Sequence, residues 1–380
     1  MKNYSFALPV SAPGPLELPP APGLARLPLS GHEPLVKVGA KVLKGQAVAR
    51  SADGRQGDMH APFAGVVVAV DACRVELRAE GEGQVEPLRL GKLPEADLGE
   101  ALRRAGVDTP FAGQVRHLIV NAVPAEPGMP APVVLMAHHR ATVAAGLELA
   151  RRLTGALQVS LAAVAGDAAH LGNCTATHVP PVHPAGCEPL VVRAVTGRES
   201  DEDAQVVPVA WLWTLGRVLE TGLPVTRAVL DLDGRTMAVV LGAPLRDLAA
   251  LAGFTPGCGD RVVLGGPLRG EAACDLDLGL GKTATGLTLV PDGAYPPVRD
   301  AACVHCGECV RRCPARIQPG PISRAAEFRL FDKARAWGVE ACMECGLCGY
   351  WCPGRRPLLQ YIRLARHELA LADARAEAES

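Results

Sequence analysis

Two twelve-residue runs hold the densest chemistry in this sequence. CVHCGECVRRCP begins at Cys303 and CMECGLCGYWCP at Cys342, each spaced C-x2-C-x2-C-x3-C-P. Thiolates are soft ligands that select zinc or iron–sulfur clusters. Three cysteines separated by pairs of residues wrap three corners of a cubane. The fourth, three residues further on and fixed by a following Pro, is aimed away from that wrap. In two-cluster ferredoxins it ligates the other cluster. The spacing therefore predicts two 4Fe–4S clusters with exchanged ligands: Cys303, Cys306, Cys309 and Cys352 for one, Cys342, Cys345, Cys348 and Cys313 for the other. Structural zinc is the competing reading, but zinc ribbons use pairs of CxxC with long gaps and no terminal Pro. Gly307, Gly346 and Gly349 are read as letting backbone N–H groups approach the sulfurs, and Pro314 and Pro353 as starting the next helices. Clusters that share ligands lie close together, which makes a relay; clusters that only staple the fold are the alternative.

Elements must exist to hold these runs. PISRAAEFRLFDKARAWG (321–338), between them, reads as one helix stopped at Gly338. RPLLQYIRLARHELALAD, after the second, carries apolar residues at helical spacing, and LADARAEAES reads as a solvated helix end. The cysteine module is thus expected to be helical, with clusters at the turns.

The whole chain, 380 residues with 48% hydrophobic and 21% charged side chains, is long enough for two to four ordinary domains and is not of disordered composition. A formal charge of -1 gives no electrostatic case for nucleic acid. The start has one Lys, early prolines and no apolar core segment, so no signal peptide is expected; no run of 18 apolar residues predicts a membrane span. Clustered CxxC without an export signal points to reduced thiolates holding metal, not to disulfides.

Ahead of the cysteines, GHEPLVKVGAKVLKGQAVARSADGRQGDMHAPFAGVVVAVDACRVELRAE is strand-rich, with AGVVVAV and CRVELRA pairing around Asp71-Ala72. It resembles a lipoyl-like barrel-sandwich hybrid. The tip, RQGDMHAP, lacks a modifiable Lys, so a structural or docking domain is expected and not a cofactor carrier. The middle reads as Rossmann-like α/β: HLIVNAV, VSLAAVAG and PLVVRAV as strands, LMAHHRATVAAGLELARRLTG and VAWLWTLGRVLETGLP as helices closed at Gly155 and Gly222. Beyond it, TRAVLDLDGRTMAVVLGAPLRDLAALAGFTPGCGDRVVLGG gives short strands, a hairpin at Asp233-Gly234 and one helix, as in a small β-grasp-like (SLBB) domain. The expected division is 1–90 (N-terminal segment and barrel-sandwich hybrid), 91–225 (α/β), 226–292 (β-grasp-like), 293–372 (helical dicluster ferredoxin module) and 373–380 (tail).

In this order the chain resembles the RnfC family of the Rnf ion-translocating electron transport complex, which is related to the flavin-bearing, NADH-binding part of respiratory complex I. KVGAKVLKGQ, MHAPFAGVV, NAVPAEPG, AVTGRES, LGGPLRG and GLGKTATG carry the resemblance together with both cysteine runs, over nearly the whole chain. The family implies a cytoplasmic subunit, peripheral on the inner face of the cell membrane. Its partners would be other subunits of the complex and a ferredoxin- or flavoprotein-type redox protein. The family also implies FMN in the α/β domain and electron exchange with NADH. Here the sequence departs. Where the family has a glycine-dense flavin loop, RRAGVDTPF (103–111) has Gly106 alone, and of an expected acidic pair Glu126 remains while Pro124 takes the other place. Gly106 and Glu126 are the only remnant of an FMN site. Three readings stay open: an electron-relay subunit fed by a partner protein, which is preferred; a working FMN-containing NADH:acceptor oxidoreductase; and a cluster-stabilised scaffold or redox sensor.

Other features are given ordinary roles. GLGKT is not a Walker A loop, because Leu276 stands where its first Gly is needed. Cys174, His178, His183 and Cys187 could frame a zinc site, but the prolines between the histidines favour a plain loop. His138-His139 point to different helix faces. His305 is expected to tune a cluster without ligating it. Cys73, Cys258 and Cys274 are expected as buried small hydrophobes.

Overall fold

The computed structural model describes residues 6–8, 14–52, 54–109, 115–164, 170–299 and 301–379. Residues 110–111 of the flavin-loop region, 165–166 at the end of VSLAAVAG, Ser380 and most of the N-terminal segment lie outside them. The chain divides into two compact units. One holds Ala7–Gly266 with Glu271–Leu289; the other holds Pro267–Gly270 with the C-terminal part from Val290.

The first unit begins with two small antiparallel sheets. Strands β1 (Leu24–Pro28), β2 (His32–Pro34), β3 (Lys41–Val42), β4 (Ala47–Ser51), β5 (Met59–His60), β6 (Gly65–Val70) and β7 (Arg74–Ala79) form one sheet of order β1-β7-β6-β3 and another of order β2-β4-β5. Alternate residues of β1 and β7 are buried, with Ala25, Leu27, Val75 and Leu77 fully inside, as period-two strands require. The β6–β7 turn is tied by Asp71, whose Oδ1 accepts the N–H groups of Cys73 at 2.7 Å and Arg74 at 2.9 Å. Of the tip RQGDMHAP, Asp58, Met59, His60 and Ala61 are buried. Their burial follows the pairing of β5 with β4.

The same unit contains a four-stranded sheet, all parallel. Helix α1 (Glu95–Arg104) precedes β8 (His117–Ala122); β9 (Gln158–Ala163), β10 (Thr175–His178) and β11 (Ala204–Pro208) complete the order β10-β9-β8-β11. The single helix expected from LMAHHRATVAAGLELARRLTG is two, α2 (Ala131–His138) and α3 (Arg140–Thr154). The chain leaves helical torsions at His139, whose ring packs edge-on against Trp213. PLVVRAV is not a strand but helix α4 (Glu188–Thr196), with Pro189 in the first turn and left-handed Gly197 as its cap. Its β-branched residues mislead: Val191 and Val192 fill a helix-packed core, and tertiary burial overrides propensity. Helix α5 (Val209–Thr221) ends, as expected, at left-handed Gly222. Helices α3 and α5 meet backbone to backbone through glycines: a Cβ on Gly146 would lie 1.8 Å from Leu212 O, and one on Gly216 2.0 Å from Thr142 O.

A five-stranded sheet joins β12 (Arg227–Leu232), β13 (Arg235–Val240), β14 (Arg261–Leu264), β15 (Glu271–Ala272) and β16 (Gly286–Val290) in the order β13-β12-β16-β14-β15, with α6 (Leu245–Leu251) as its helix. The β12–β13 hairpin turns at Asp233 (φ 49°) and Gly234 (φ 75°), both left-handed, which matches the twist of the flanking strands.

The second unit is helical: α7 (Glu308–Arg311), α8 (Pro319–Glu327), α9 (Phe331–Ala336), α10 (Leu347–Tyr350) and α11 (Leu358–Glu379). The helix expected over 321–338 is therefore broken, because Arg329 adopts φ 55° between α8 and α9. Pro314 and Pro353 do not open the following helices, which begin at Pro319 and Leu358. Left-handed residues intervene, Arg316 (φ 58°) and Arg355 (φ 50°). These belong to an internal repeat of backbone shape. His305 and Glu344, Gly307 and Gly346, and Arg316 and Arg355 all have positive φ, and each pair is offset like Cys303 and Cys342. Ile317, Ile322, Ala326, Val339, Leu358, Ile362 and Leu369 form the core on which both halves rest.

Candidate metal centre

Each cysteine run folds the same way. The backbone turns left-handed at Gly307 or Gly346, and one turn of helix (α7 or α10) carries the third cysteine. The fourth cysteine follows that helix and leaves the wrap. As a result, Cys313 lines one cavity with Cys342, Cys345 and Cys348, while Cys352 lines another with Cys303, Cys306 and Cys309. The two quartets that the spacing groups are thus brought together in space. The residues before the crossing cysteines lock the exchange: the Arg312 guanidinium lies 3.7 Å from the centre of the Trp351 ring, and Glu308 accepts from Arg312 Nε at 2.9 Å.

The donor set fits iron–sulfur clusters. Four cysteines line each cavity, yet among the described residues no three His, Cys, Asp or Glu side chains converge to hold a single metal ion. A lone zinc needs sulfurs about 2.3 Å from one point. Burial pushes the thiols of Cys309, Cys313, Cys342 and, most strongly, Cys348 up, so metal must displace their protons on assembly. The Glu344 N–H points at Cys342 Sγ, 3.4 Å away, the type of amide–sulfur bond that stabilises a negative cluster.

The two cavities have different surroundings. At the second, Glu344 is gripped by Arg363 Nε (2.7 Å) and Arg366 Nη1 (2.6 Å), while Arg269 Nε donates to Glu344 O (3.1 Å). Arg363 also donates to Arg269 O, and Leu268 O would be 2.2 Å from a Cβ on Gly346. Residues 267–270 therefore press on the second run. At the first, His305 is exposed and its Nε2 lies 3.2 Å from Arg324 Nη1. Sequence reasoning gave no role to Glu344, Arg363 or Arg366, and it named the 267–270 segment, within LGGPLRG, only as a motif of resemblance. Only the arginine pair at i and i+3 on α11 offered a signal, and it is a common helix pattern.

The expected flavin remnants sit in different surroundings. Gly106 (φ 86°) packs on His60 and Asp58 O, and the neighbouring N–H groups are committed. Gly106 donates to Arg103 O, Val107 to Leu102 O and Thr109 to Arg55 O. Lys282, from GLGKT, is largely buried here and donates to Gly57 O (2.5 Å) and Asp58 O (2.9 Å), beside Asp108 Oδ1 (3.5 Å). A phosphate cradle needs free N–H groups; those of Gly106, Val107 and Thr109 are spent on the chain itself. Glu126 is buried against Gly266, where a Cβ would meet its carboxylate.

The minor candidates fall as follows. His183 is fully buried and its Nδ1 lies 2.9 Å from Ala125 O, Cys187 is the buried cap residue of α4, and Cys174 is half-buried. Cys73, Cys258 and Cys274 are exposed, not buried, because they sit in turns and bends between strands.

Comparison with known proteins adds the following. A family described as "RnfC Barrel sandwich hybrid domain" matches residues 10–85, and one described as "4Fe-4S dicluster domain" matches 297–353. The chain is 30% identical over 422 aligned positions to the RnfC protein of the ion-translocating oxidoreductase complex of Erwinia tasmaniensis, covering 96% of this chain and 52% of the relative. The protein of the same name from Rhodobacter capsulatus is 26% identical, with 95% and 80% covered. That from Salmonella typhimurium is 29% identical, with 97% and 57% covered. The chain thus spans little more than half the length of two of these relatives. Among solved structures it is similar to an NAD+-reducing NiFe-hydrogenase in the H2-reduced state, with TM-score 0.47, 14% identity, and 78% of this chain and 69% of that one covered.

Proposed function

We propose, from the premise that this chain is a homologue of the RnfC proteins of ion-translocating oxidoreductase complexes, that it is an electron-relay subunit of a membrane electron-transport complex. The relay would run through two 4Fe–4S clusters and would have no dinucleotide chemistry of its own. The observation that carries this reading is the pair of four-cysteine cavities, each completed by the crossing cysteine of the other run. When bound, each cluster accepts and returns one electron. The chain's own residues do everything else. Cys303, Cys306, Cys309 and Cys352 hold one cluster; Cys342, Cys345, Cys348 and Cys313 hold the other. Leu359 and Ile362 line the cavity of the second quartet and Leu358 that of the first, and keep water from those sides. The Arg312–Trp351 stack and the Glu344–Arg363–Arg366 clamp fix how the runs face each other.

We read the parallel sheet as a Rossmann-like domain and the β13-β12-β16-β14-β15 sheet as a β-grasp-like domain, with the boundaries given above. Both would act as scaffold. The chain would sit on the cytoplasmic face of the membrane by docking to partner subunits; no helix of the described residues is long and apolar enough to cross a membrane.

The test is direct. The full chain, reconstituted with iron and sulfide, should bind about eight irons and show a broad visible absorbance bleached by dithionite. Denaturing extraction should release no flavin, and NADH should leave the spectrum unchanged. A flavin that co-purifies and is bleached by NADH would establish the oxidoreductase reading instead.

A further inference from the structure

We propose that Arg356 is a redox-tuning residue of the first cysteine cavity: its Nε–H donates to a sulfur of the cluster held there and favours that cluster's reduced form. This rests on the reading of the cavity as a cluster site and adds to it a residue that is not a ligand. Three observations support it.

The position is the first. Arg356 stands four residues after Cys352, and it lines the first cavity together with Cys303, Cys306, Cys309 and Cys352. Among the described residues it is the only buried arginine. A guanidinium out of water keeps its charge and acts on its neighbours with little screening.

The second is a donor left over. Nη1 donates to Ala301 O, and Nη2 donates to Glu327 Oε2 at 2.5 Å. The guanidinium is planar, so holding two of its nitrogens fixes the third. Nε is covered from solvent and, among the described residues, has no hydrogen-bond partner. A buried N–H without an acceptor destabilises a fold, and its retention needs a reason. In the wall of a four-cysteine cavity the fitting acceptors are thiolate sulfur and cluster sulfide. Hydrogen bonds to these sulfurs set a cluster's potential.

The third is that the internal repeat is broken at this residue. Arg356 and Ile317 each stand four residues after a crossing cysteine, Cys352 and Cys313. Ile317 belongs to the hydrophobic core, and among the described residues no Lys or Arg lines the second cavity. The counter-charge does not cancel the effect at the first. Glu327 is not among the residues lining that cavity, and its side chain is 25% exposed against 3% for Arg356. Water therefore screens the carboxylate more than the cation. Reduction adds one electron, taken from the reductant, and one negative charge; no bond forms or breaks and no proton moves. The buried cation and its N–H favour the more negative form.

The experiment uses the full chain loaded with iron and sulfide, and reads each cluster's midpoint by EPR during a dithionite titration. The cluster that survives in Cys313→Ala identifies the signal of the first cavity. Arg356→Met should disfavour reduction of that cluster about tenfold, about 59 mV for one electron, and leave the other midpoint in place. Arg356→Lys, which keeps the charge, should recover part of the loss. Glu327→Gln keeps an acceptor for Nη2 and removes the counter-charge, so it should shift the same midpoint the opposite way. An unchanged first midpoint in Arg356→Met, or equal shifts of both midpoints, would overturn the proposal. If Arg356→Met does not retain its first cluster, Glu327→Gln decides: a raised midpoint supports the assignment, and an unchanged or lowered one overturns it. A wild-type chain that binds no iron would sink the cluster reading itself. One that loads both clusters but whose midpoints ignore both substitutions would sink only the role of Arg356.

Discussion

Replacing Cys313 by Ala tests the ligand exchange most sharply, because the substituted residue lies in one motif and its effect is expected in the other. Cys313 follows α7, whose Cys309 faces the first cavity, yet Cys313 itself lines the second. Alanine ends at Cβ, removes one of four sulfurs from the second cavity and takes none from the first. Iron per chain should fall from about eight to about four. The surviving cluster should be the one on Cys303, Cys306, Cys309 and Cys352, with its EPR signal retained. The second cavity is flanked by the core residue Ile362, so losing its cluster also removes a staple and should lower the thermal midpoint of the helical module. Cys352→Ala is the mirror experiment and should spare the other cluster. Iron analysis, EPR of each variant and a double variant make the assay. If Cys313→Ala loses the signal shared by Cys352→Ala, or keeps about eight irons, the crossing of ligands is wrong and the relay geometry with it.

Three further outcomes are expected. Gly146→Ala should destabilise the chain by about 3 kcal/mol or more in urea unfolding, because its methyl would meet the Leu212 carbonyl at 1.8 Å; near-neutral stability would mean α3 and α5 do not touch there. Gly346→Ala should expel residues 267–270 from the second run and lower its cluster content while leaving the first cluster loaded, read by EPR; a wild-type spectrum would show that the contact is dispensable. Stability should also depend on pH through two buried groups of opposite sign. Burial raises Asp231 to about 7 against an ordinary 3.8, so the folded chain keeps a proton that the unfolded chain releases, and stability falls as pH rises from about 4 to about 7. Burial, and then the Lys282 ammonium, lower His60 to about 4, so stability falls as pH drops from about 6.5 to about 4. Asp231→Asn should remove the first slope, by no more than about 4 kcal/mol, and leave the second; an unchanged profile would show that Asp231 does not titrate in that range.

Much of the site was legible because it is local. Eight cysteines at fixed spacing, with a glycine at the bend of each wrap, specify which sulfurs share a cavity; no distant contact has to be known. The same holds for helix ends at Gly155 and Gly222 and for the Asp233-Gly234 hairpin, where left-handed torsion favours those residue types.

Tertiary structure decided what depends on partners far along the chain. PLVVRAV reads as a strand by composition and becomes helix α4 because Val191 and Val192 find a core only in that form. The break at His139, whose ring packs on Trp213, and the left-handed turn at Arg329 are recorded by no periodicity. Gly146 and Gly216 look like weak points of two helices until each is seen against the other's backbone. Lys282, which resembles the end of a phosphate loop, becomes a buried tie to Gly57, Asp58 and Asp108. The difference between the two cysteine runs, one with Cys306 exposed and one with Leu268 packed on Gly346, cannot be read from near-identical motifs. Spacing fixes the geometry within a few bonds of each ligand, whereas access and charge are set by segments tens of residues away that only folding brings to the rim.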